Sequence, residues 1–431
     1  MRIVNGKEMR EGWYSGEGVN DKVFVHNLLE VWPLMYVAPN FYDSCGIVAE
    51  AKLQYVVCDV LQEHLSFDIV KIANRIITFL RVICYKADYQ PSKEEFYVAN
   101  GTYNIMTGFR AGIDHPVINK LPVAYNVMAD EPILWKKFLN ELMYQEDIPA
   151  LQEYMGYCLL ATNKAQKMLV IKGAAGIGKS QIGVVLRHIL GAAAKDGCIA
   201  KLAENRFARA DISGINLMID DDMQMEELKH TNYIKSIVTA SGKMDLERKG
   251  IQSYQGNMFA KLIGFSNGGL HAKSDQTEGF YRRQLIIVTR DVPANRVIIK
   301  DLGEQLCAES EGILKWMIEG LMRLIKNNWE FSVSDRMLEN QSKVRCEINN
   351  VDTFLRSEGY IEISPSHRIT SKMLYNTYVQ WCDDNLLEPY SARAFCNALI
   401  ERQERYNIVN NNNQKDSYGH RVRGYDGIGL A

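Results

Sequence analysis

The sequence lacks an excess of charge of either sign and lacks any apolar run long enough to cross a membrane. Its 50 lysines and arginines are balanced by 52 aspartates and glutamates, which gives a net charge of −2. Any contact with DNA must therefore come from local basic patches. A membrane-spanning helix needs roughly 18 apolar residues, and the first residues lack the apolar segment of a signal peptide. The sequence predicts a cytoplasmic protein with no membrane partner.

The nine cysteines also lack a pattern. They are scattered singly, without Cys-x-x-Cys spacing and without histidine partners. This arrangement argues against a zinc site and a disulfide framework, and it is typical of a protein in a reducing compartment.

The length and composition indicate a folded protein of several domains. The chain has 431 residues, of which 47% are hydrophobic and 24% charged, and a chain of this length has roughly two to four domains. We predict a mainly helical domain over 1–150, an α/β domain over 151–335 and a winged helix over 345–431. In the first domain, apolar residues recur at helical spacing over 51–65 and 67–86, and Asn100-Gly101 predicts a β-hairpin.

The most specific motif is Gly-x-x-x-x-Gly-Lys-Ser, which lies between an apolar strand-like run and an amphipathic helix. Its residues are Gly173, Gly176, Gly178, Lys179 and Ser180. Glycines let backbone N–H groups face a phosphate, and the following helix adds the positive end of its dipole. We expect Lys179 to reach the phosphates of ATP and Ser180 to bind Mg²⁺. A purely structural glycine-rich turn is the alternative, which the complete motif disfavours.

A second apolar run, 215–219, ends in three successive aspartates. An acidic strand end is the partner that a phosphate-binding loop requires, because one carboxylate holds magnesium and a neighbour orients the attacking water. We predict Asp220 for the metal and Asp221 for the water. The third residue, Asp222, leaves that assignment open by one position.

A basic turn and a polar strand end follow. Arg248, Lys249 and Gly250 lie between two strand-like runs, which predicts a hairpin with a basic tip. The second run, 258–265, leads to Asn267, whose amide is expected to contact the γ-phosphate or the attacking water.

Arg282 and Arg283 precede another apolar run. An arginine that completes the site of a neighbouring subunit stabilises charge in the transition state. Ordinary exposed basic residues are the alternative for this pair and for Lys249.

The C-terminal pattern is typical of a winged helix. Helices are predicted to start at 351 and to span 371–385 and 391–402, and a ribbon is predicted from 406–409 and 419–424, joined by a turn of four asparagines. The last helix of such a fold enters the DNA major groove. Basic residues on this helix and ribbon suit phosphate contact: Arg393, Arg402, Arg405, Lys415, Arg421 and Arg423. A winged helix that binds protein is the alternative.

Together, these motifs resemble the superfamily 3 helicases, and within them the phage/plasmid and poxvirus primase-helicase type. The shared stretches are the phosphate-binding loop, MIDDD, LERKG before a strand ending in FSN, and FYRRQLII, with VANGTYNIMTGF and LQEYMGYCLLATNKAQKMLVIKGAAGIGKS upstream. The resemblance covers residues 90 to 295. It implies a P-loop AAA+-like ATPase core that assembles as hexameric rings, with the N-terminal region as an oligomerisation collar.

The resemblance also implies roles for single residues. The loop lysine and serine, the acidic pair, the sensor asparagine, the channel-hairpin lysine and the finger arginine correspond to Lys179, Ser180, Asp220, Asp221, Asn267, Lys249 and Arg283. Gly250 departs from the family, since a second tip residue with a side chain is common there. The large family members carry an upstream primase domain, which we do not expect in this chain.

These features predict an ATP- and Mg²⁺-dependent replicative DNA helicase, or initiator-helicase, of a phage, plasmid or other mobile genetic element. It would bind single- and double-stranded DNA and form a homo-oligomer, expected to be a hexamer. One alternative is a DNA-binding initiator or loader that uses ATP as an assembly switch and does not unwind. Another is a subunit that depends on a separate primase.

Overall fold

The computed structural model describes residues 2–16, 18–87, 89–223, 231–267, 278–291, 299–348, 350–385, 387, 389–415 and 420–431. These residues fall into two compact units. The first unit contains the described residues up to 267 together with 282–337, and the second contains 278–281 and 338–431. None of the described helices combines the length and apolar character that crossing a membrane requires.

The first 111 residues combine helices with short strands. The helices are α1 (Asp21–Val31), α2 (Glu50–Leu61) and α3 (Ile69–Ile83). The strands pair antiparallel with their sequence neighbours as β1-β2, β3-β4-β5 and β6-β7-β8: β1 (Arg2–Val4), β2 (Lys7–Met9), β3 (Met35–Val37), β4 (Asn40–Asp43), β5 (Gly46–Val48), β6 (Glu95–Val98), β7 (Gly101–Asn104) and β8 (Gly108–Ala111).

This region is mixed, whereas the sequence predicted a mainly helical domain. Strands of three or four residues are too short to show the alternating pattern on which strand prediction depends. Where turn chemistry gave a signal, the predicted hairpin is present, although its turn is formed by Ala99 and Asn100 and Gly101 already pairs with Val98. The two predicted helices are present as α2 and α3, each shorter than expected.

The remainder of the first unit surrounds a parallel sheet. Its strands are β9 (Met168–Lys172), β10 (Ala194–Asp196), β11 (Leu217–Asp220), β14 (Lys261–Ser266) and β15 (Gln284–Val288), while β12 (Lys243–Arg248) and β13 (Ile251–Asn257) form a separate hairpin. The helices are α4 (Ile133–Leu142), α5 (Ile148–Tyr157), α6 (Ser180–Leu190), α7 (Ile199–Glu204), α8 (Arg206–Ala210), α9 (Thr231–Val238), α11 (Leu302–Cys307) and α12 (Ser310–Lys326); α10 (Glu278–Tyr281) belongs to the second unit.

The five strands lie in the order β10-β11-β14-β9-β15, and all are parallel. The predicted α/β class is confirmed. The inner strands are almost entirely buried apolar runs, as expected when helices cover both faces of a parallel sheet. From β9 the chain moves to the outer strand β10 and then returns towards β9 through β11 and β14. It then crosses to β15 on the other side of β9. Such a reversal opens a crevice at the carboxyl ends of the strands, where ligands bind in open α/β sheets.

The hairpin differs from its prediction in one strand. β12 pairs antiparallel with β13 across Lys249 and Gly250, whereas residues 261–266 form β14 of the central sheet. The expectation that 258–265 supplies the second hairpin strand was therefore wrong. β13 reads Ile-Gln-Ser-Tyr-Gln-Gly-Asn, and so many polar residues give no strand signal.

Buried polar contacts fasten the end of α5 to the sheet. The Asn216 side chain donates to the carbonyls of Cys158 (3.0 Å) and Leu159 (3.1 Å), and the Lys261 ammonium donates to the carbonyl of Leu160. Burial lowers the pKa of Lys261 to about 7. Because the last carbonyls of a helix have no intrahelical partners, these contacts allow α5 to end inside the core.

The second unit contains a three-stranded antiparallel sheet in the order β16-β18-β17. Its core is aromatic, with Tyr378 stacked on Phe395 at 4.3 Å between ring centroids. The elements from the end of the first unit onwards are α13 (Asp335–Ile348), α14 (Asn350–Phe354), β16 (Ile361–Thr370), α15 (Ser371–Asp384), α16 (Ala392–Ile400), α17 (Gln403–Tyr406), β17 (Val409–Lys415) and β18 (Arg421–Leu430).

The four asparagines at 410–413 lie within β17 and do not form the predicted turn. The Asn411 side chain donates to Asp426 Oδ2 at 2.8 Å, and the Gln414 side chain donates to Asp426 Oδ1 at 3.0 Å. Pairing with β18 and these cross-strand hydrogen bonds together offset the low strand propensity of asparagine.

Candidate functional site

The loop between β9 and α6 lies at the carboxyl edge of the sheet. Gly176 and Gly178 have φ angles of +75° and +97°, which residues with side chains rarely adopt. The helix α6 begins directly afterwards at Ser180. The loop therefore ends at the positive pole of a helix, which favours a bound anion such as a phosphate.

The ammonium group of Lys179 lies inside this loop. It donates to the carbonyls of Gly173 (2.8 Å) and Ala174 (2.7 Å) and to Asn267 Oδ1 (2.8 Å). The side chain is buried, and burial lowers its pKa. These three partners are neutral oxygens. Because a buried cation among neutral groups is costly, an anion bound in the loop would stabilise the ammonium. The structure thus brings together Lys179 and Asn267, two residues singled out from distant parts of the sequence.

Asp220 ends β11, next to β14 in the sheet. Its carboxylate is buried and accepts a hydrogen bond from the N–H of Ile199 at 2.7 Å. Burial raises the pKa of this carboxyl group. Since Ile199 is the first residue of α7, Asp220 supports the start of that helix.

Asp221 lies on the other side, against α6. It forms an ion pair with Arg187, and its Oδ1 is 3.1 Å from the position that a Cβ on Gly183 would take. Gly183 follows Ser180 by three residues, so both lie on one face of α6. Asp221 is therefore the aspartate on the Ser180 side, and Asp222 is exposed beside it.

One packing contact fixes the first loop glycine. A Cβ at Gly173 would lie 1.9 Å from the Thr289 hydroxyl oxygen, just after β15. Thr289, Arg187 and Ile199 belong to no motif, so nothing in the sequence pointed to them. Only the fold shows that they shape the site.

The fold resembles the NrS-1 C-terminal region. One apo structure of that region, its A form, aligns over 93% of this chain and 97% of its own, with a TM-score of 0.52 and 11% identity. Another apo structure aligns over 96% of this chain and 100% of its own, with a TM-score of 0.50 and 11% identity. At this identity, the likeness concerns the fold alone.

Sequence comparison adds one family match. Residues 171–283, which include the loop, the acidic strand and the hairpin, match a family of unknown function, DUF5906. None of the curated proteins matches the chain.

Arg283 lies at the opposite edge of the sheet from Lys179. Its carbonyl accepts a hydrogen bond from the N–H of Met168, the first residue of β9, at 2.8 Å. Lys179 follows the other end of this strand, and five extended residues span roughly 16 Å. The neighbouring Arg282 is exposed, and its carbonyl accepts from the Lys167 ammonium. Neither arginine therefore lies at the edge of the sheet that carries the phosphate-binding loop of the same chain.

The hairpin tip is exposed. Lys249 lies in the turn, and the Arg248 guanidinium stacks on the Tyr254 ring at 5.4 Å from its centroid. At the same end of β12, Glu247 forms an ion pair with Arg206 of α8 at 3.1 Å. The hairpin therefore carries a basic tip that these two contacts hold in place, and this tip is separate from the phosphate-binding loop.

The predicted DNA contacts of the C-terminal unit divide into two groups. Arg393, Arg405, Arg421 and Arg423 are exposed, and Arg405 also lies 3.8 Å from Asp352, whereas Arg402 is buried. The side chain of Lys415 lies outside the described residues.

The position of Arg402 contradicts its predicted role in DNA contact. Its side chain is only 7% exposed, forms an ion pair with Asp352 at 3.1 Å, and donates to the Ala398 carbonyl at 2.8 Å. A buried, paired guanidinium cannot reach a phosphate without breaking this contact, so Arg402 is a structural residue of the unit.

Proposed function

We propose that this protein is an ATP-driven, ring-forming DNA helicase that acts in the replication of a mobile genetic element. The observation that carries the proposal is the 2.8 Å contact between the Lys179 ammonium and Asn267, beside the acidic end of β11. A loop lysine, a polar residue from a neighbouring strand and an acidic strand end are parts used in phosphoryl transfer. The order of the strands supports a P-loop AAA+-like core, and the order of elements from α14 to β18 supports a winged helix.

The residues present fit ATP and Mg²⁺. The loop offers Lys179 among neutral oxygens for the phosphates. Magnesium prefers oxygen ligands and keeps several waters, and Ser180 and Asp221, both beside the first turn of α6, would hold it. A bound magnesium ion neutralises the negative charge that develops on phosphate oxygens. Asn267 is positioned to bind the terminal phosphate or to orient water.

The geometry favours an exchange of the predicted aspartate roles. Asp220 faces α7 and holds the Ile199 N–H, whereas Asp221 faces the Ser180 side of α6. We therefore assign the metal to Asp221 and a positioning role to Asp220.

This assignment predicts different outcomes for two asparagine substitutions. Asp221→Asn should reduce the hydrolysis rate by about 100-fold or more, the effect of removing a charged group that stabilises the transition state, and should raise the Mg²⁺ concentration needed for half-maximal rate. Asp220→Asn keeps an oxygen for Ile199 and should leave the Mg²⁺ requirement unchanged. Steady-state ATPase measurements over a magnesium titration decide between them, and a shifted requirement in Asp220→Asn alone would return the metal to that residue.

DNA unwinding also needs a contact that moves along a strand, and the exposed Lys249 tip supports that role. In a hexameric ring, with residues 1–150 as the proposed collar, the tips of all subunits would meet in the central channel. A lysine that contacts the phosphate backbone binds any sequence and is sensitive to salt. A separate primase remains a proposed partner.

Strand displacement on a forked duplex tests the function. We expect the wild type to separate the strands with ATP, and Lys249→Ala to unwind at least about 10-fold more slowly because the tip no longer holds the DNA backbone. Hydrolysis without DNA should stay within about 2-fold of wild type, since the tip is separate from the loop. Lys243→Ala, at the base of the same hairpin, is the matched control. Hydrolysis stimulated by single strands, but without unwinding by the wild type, would instead support an ATP-switched initiator or loader.

A further inference from the structure

An open groove with a volume of about 1290 Å³ runs along the sheet of the second unit. Residues from β16, β17, β18 and the first turn of α15 line it, among them Arg368, Lys372, Met373, Asn413, Arg423 and Leu430. β18 contributes to the groove from Val422 and Arg423 near its start to Leu430 at its end. The groove is therefore elongated, and its shape suits a polymer better than a small molecule.

The lining of this groove is basic. Arg368, Lys372 and Arg423 contribute three positive charges, and among the described residues that line the groove none is acidic. The Asp426 carboxylate nearby accepts from the side chains of Asn411 and Gln414 and lies 3.5 Å from Arg368. It offsets part of the charge of Arg368, so the net positive charge of the lining comes mainly from Lys372 and Arg423. The electrostatic preference of the groove is therefore for an anion.

Three other acidic residues of the same unit are either distant from the groove or already paired. Asp383 and Asp384 end α15, roughly 16 Å along the helix axis from Lys372 in its first turn. Asp352 is occupied by the buried Arg402. The chain as a whole is nearly neutral, so the positive charge of the groove is a local feature.

Two more features favour a nucleic acid over an acidic peptide. Arg421 precedes Arg423 by two residues on β18, both are exposed, and side chains two apart lie on one face of a strand. Positive charge therefore continues beyond the groove, as a long polyanion requires. The lining also contains the Asn413 amide, a side chain of the kind that contacts phosphate and sugar oxygens in protein–DNA interfaces.

We propose that this groove binds the phosphate backbone of duplex DNA. The proposal deepens the proposed function, because it assumes that the C-terminal unit is the part of the helicase that holds duplex. It replaces Arg402 of the sequence prediction by Arg368 and Lys372, and it places the main contact beside the β17–β18 ribbon and not on the exposed end of α16.

Binding of the full-length protein to a fluorescent 30-base-pair duplex, measured by anisotropy over a salt series, tests the groove. Lys372→Glu combined with Arg423→Glu should weaken binding at least about 10-fold and reduce the slope of log affinity against log salt by about 2, one for each phosphate that is no longer neutralised. The matched control is Lys71→Glu combined with Arg110→Glu, which makes the same charge change at exposed sites of the first unit. The glutamine double variant, at the same two groove positions, should show the same slope without the added repulsion, and thermal melting verifies folding.

The outcomes separate this proposal from the helicase proposal. Unchanged duplex binding in the groove variants would overturn the proposal that the groove binds DNA. Binding of a polyglutamate peptide in the groove without displacement of the duplex would overturn it as well. A larger loss from Arg393→Glu than from the groove variants would move the interface to α16 and also overturn it. ATP hydrolysis and Lys249-dependent unwinding are read in the same preparations, so a failed helicase with an intact groove, or the reverse, is recognised directly.

Discussion

Lys179→Ala is expected to lower the rate of ATP hydrolysis by at least about 100-fold, the usual effect of removing one preorganised donor from a transition state. The ammonium lies within 2.8 Å of two loop carbonyls and Asn267, so the substitution removes the cation that the structure places inside the loop. Nucleotide binding should weaken as well, because ground-state phosphate uses the same charge. A colorimetric phosphate assay and a fluorescent nucleotide titration measure the two effects.

Lys195→Ala is the matched control for this change. Lys195 lies on β10 of the same sheet, is about half exposed, and pairs weakly with Asp211 at 4.0 Å. Its removal should leave hydrolysis unchanged. Equal activities of Lys179→Ala and wild type would contradict the assignment of the loop as a nucleoside triphosphate site.

Arg283→Ala should reduce hydrolysis by about 10³-fold, the scale of stabilisation that an arginine finger gives to a phosphoryl-transfer transition state, while nucleotide binding is retained. Arg283 lies at the amino edge of the sheet and cannot reach the loop of its own chain. In the proposed ring, its effect is therefore expected on the loop of a neighbouring subunit. Arg282→Ala, the exposed neighbour, is the control and should reduce hydrolysis far less.

Mixing two inactive variants tests this arrangement. In a ring built from equal amounts of Lys179→Ala and Arg283→Ala subunits, about a quarter of the heterologous interfaces combine an intact loop with an intact arginine. Hydrolysis should therefore recover to about a quarter of the wild-type rate if sites act independently. A mixture that stays as inactive as its parts would show that Arg283 does not act between subunits.

The sequence was most informative where chemistry imposes a local pattern. The loop glycines, the apolar runs of the inner strands and the hairpin between β6 and β7 are visible in the sequence because each depends on neighbouring residues. The parallel sheet then places Lys179 and Asn267 side by side, since both follow the carboxyl ends of adjacent strands.

The sequence was least informative where tertiary contacts decide. Asp220 and Asp221 are chemically identical neighbours in the chain, and only the positions of α7 and α6 distinguish them. Arg402 looks like any basic residue on a helix until Asp352 is placed beside it. The asparagines of β17 form a strand because β18 supplies partners from a later part of the chain.

The hairpin and Asn267 belong to one unbroken segment. Only residues 258–260 separate β13 from β14, and β14 ends immediately before Asn267. β14 is buried throughout and hydrogen-bonded on both sides, so it behaves as a rod of fixed length, roughly 20 Å for six residues. We therefore expect events at the loop to reach the hairpin through β14, and a change in the length of the buried connection 258–260 to weaken that coupling.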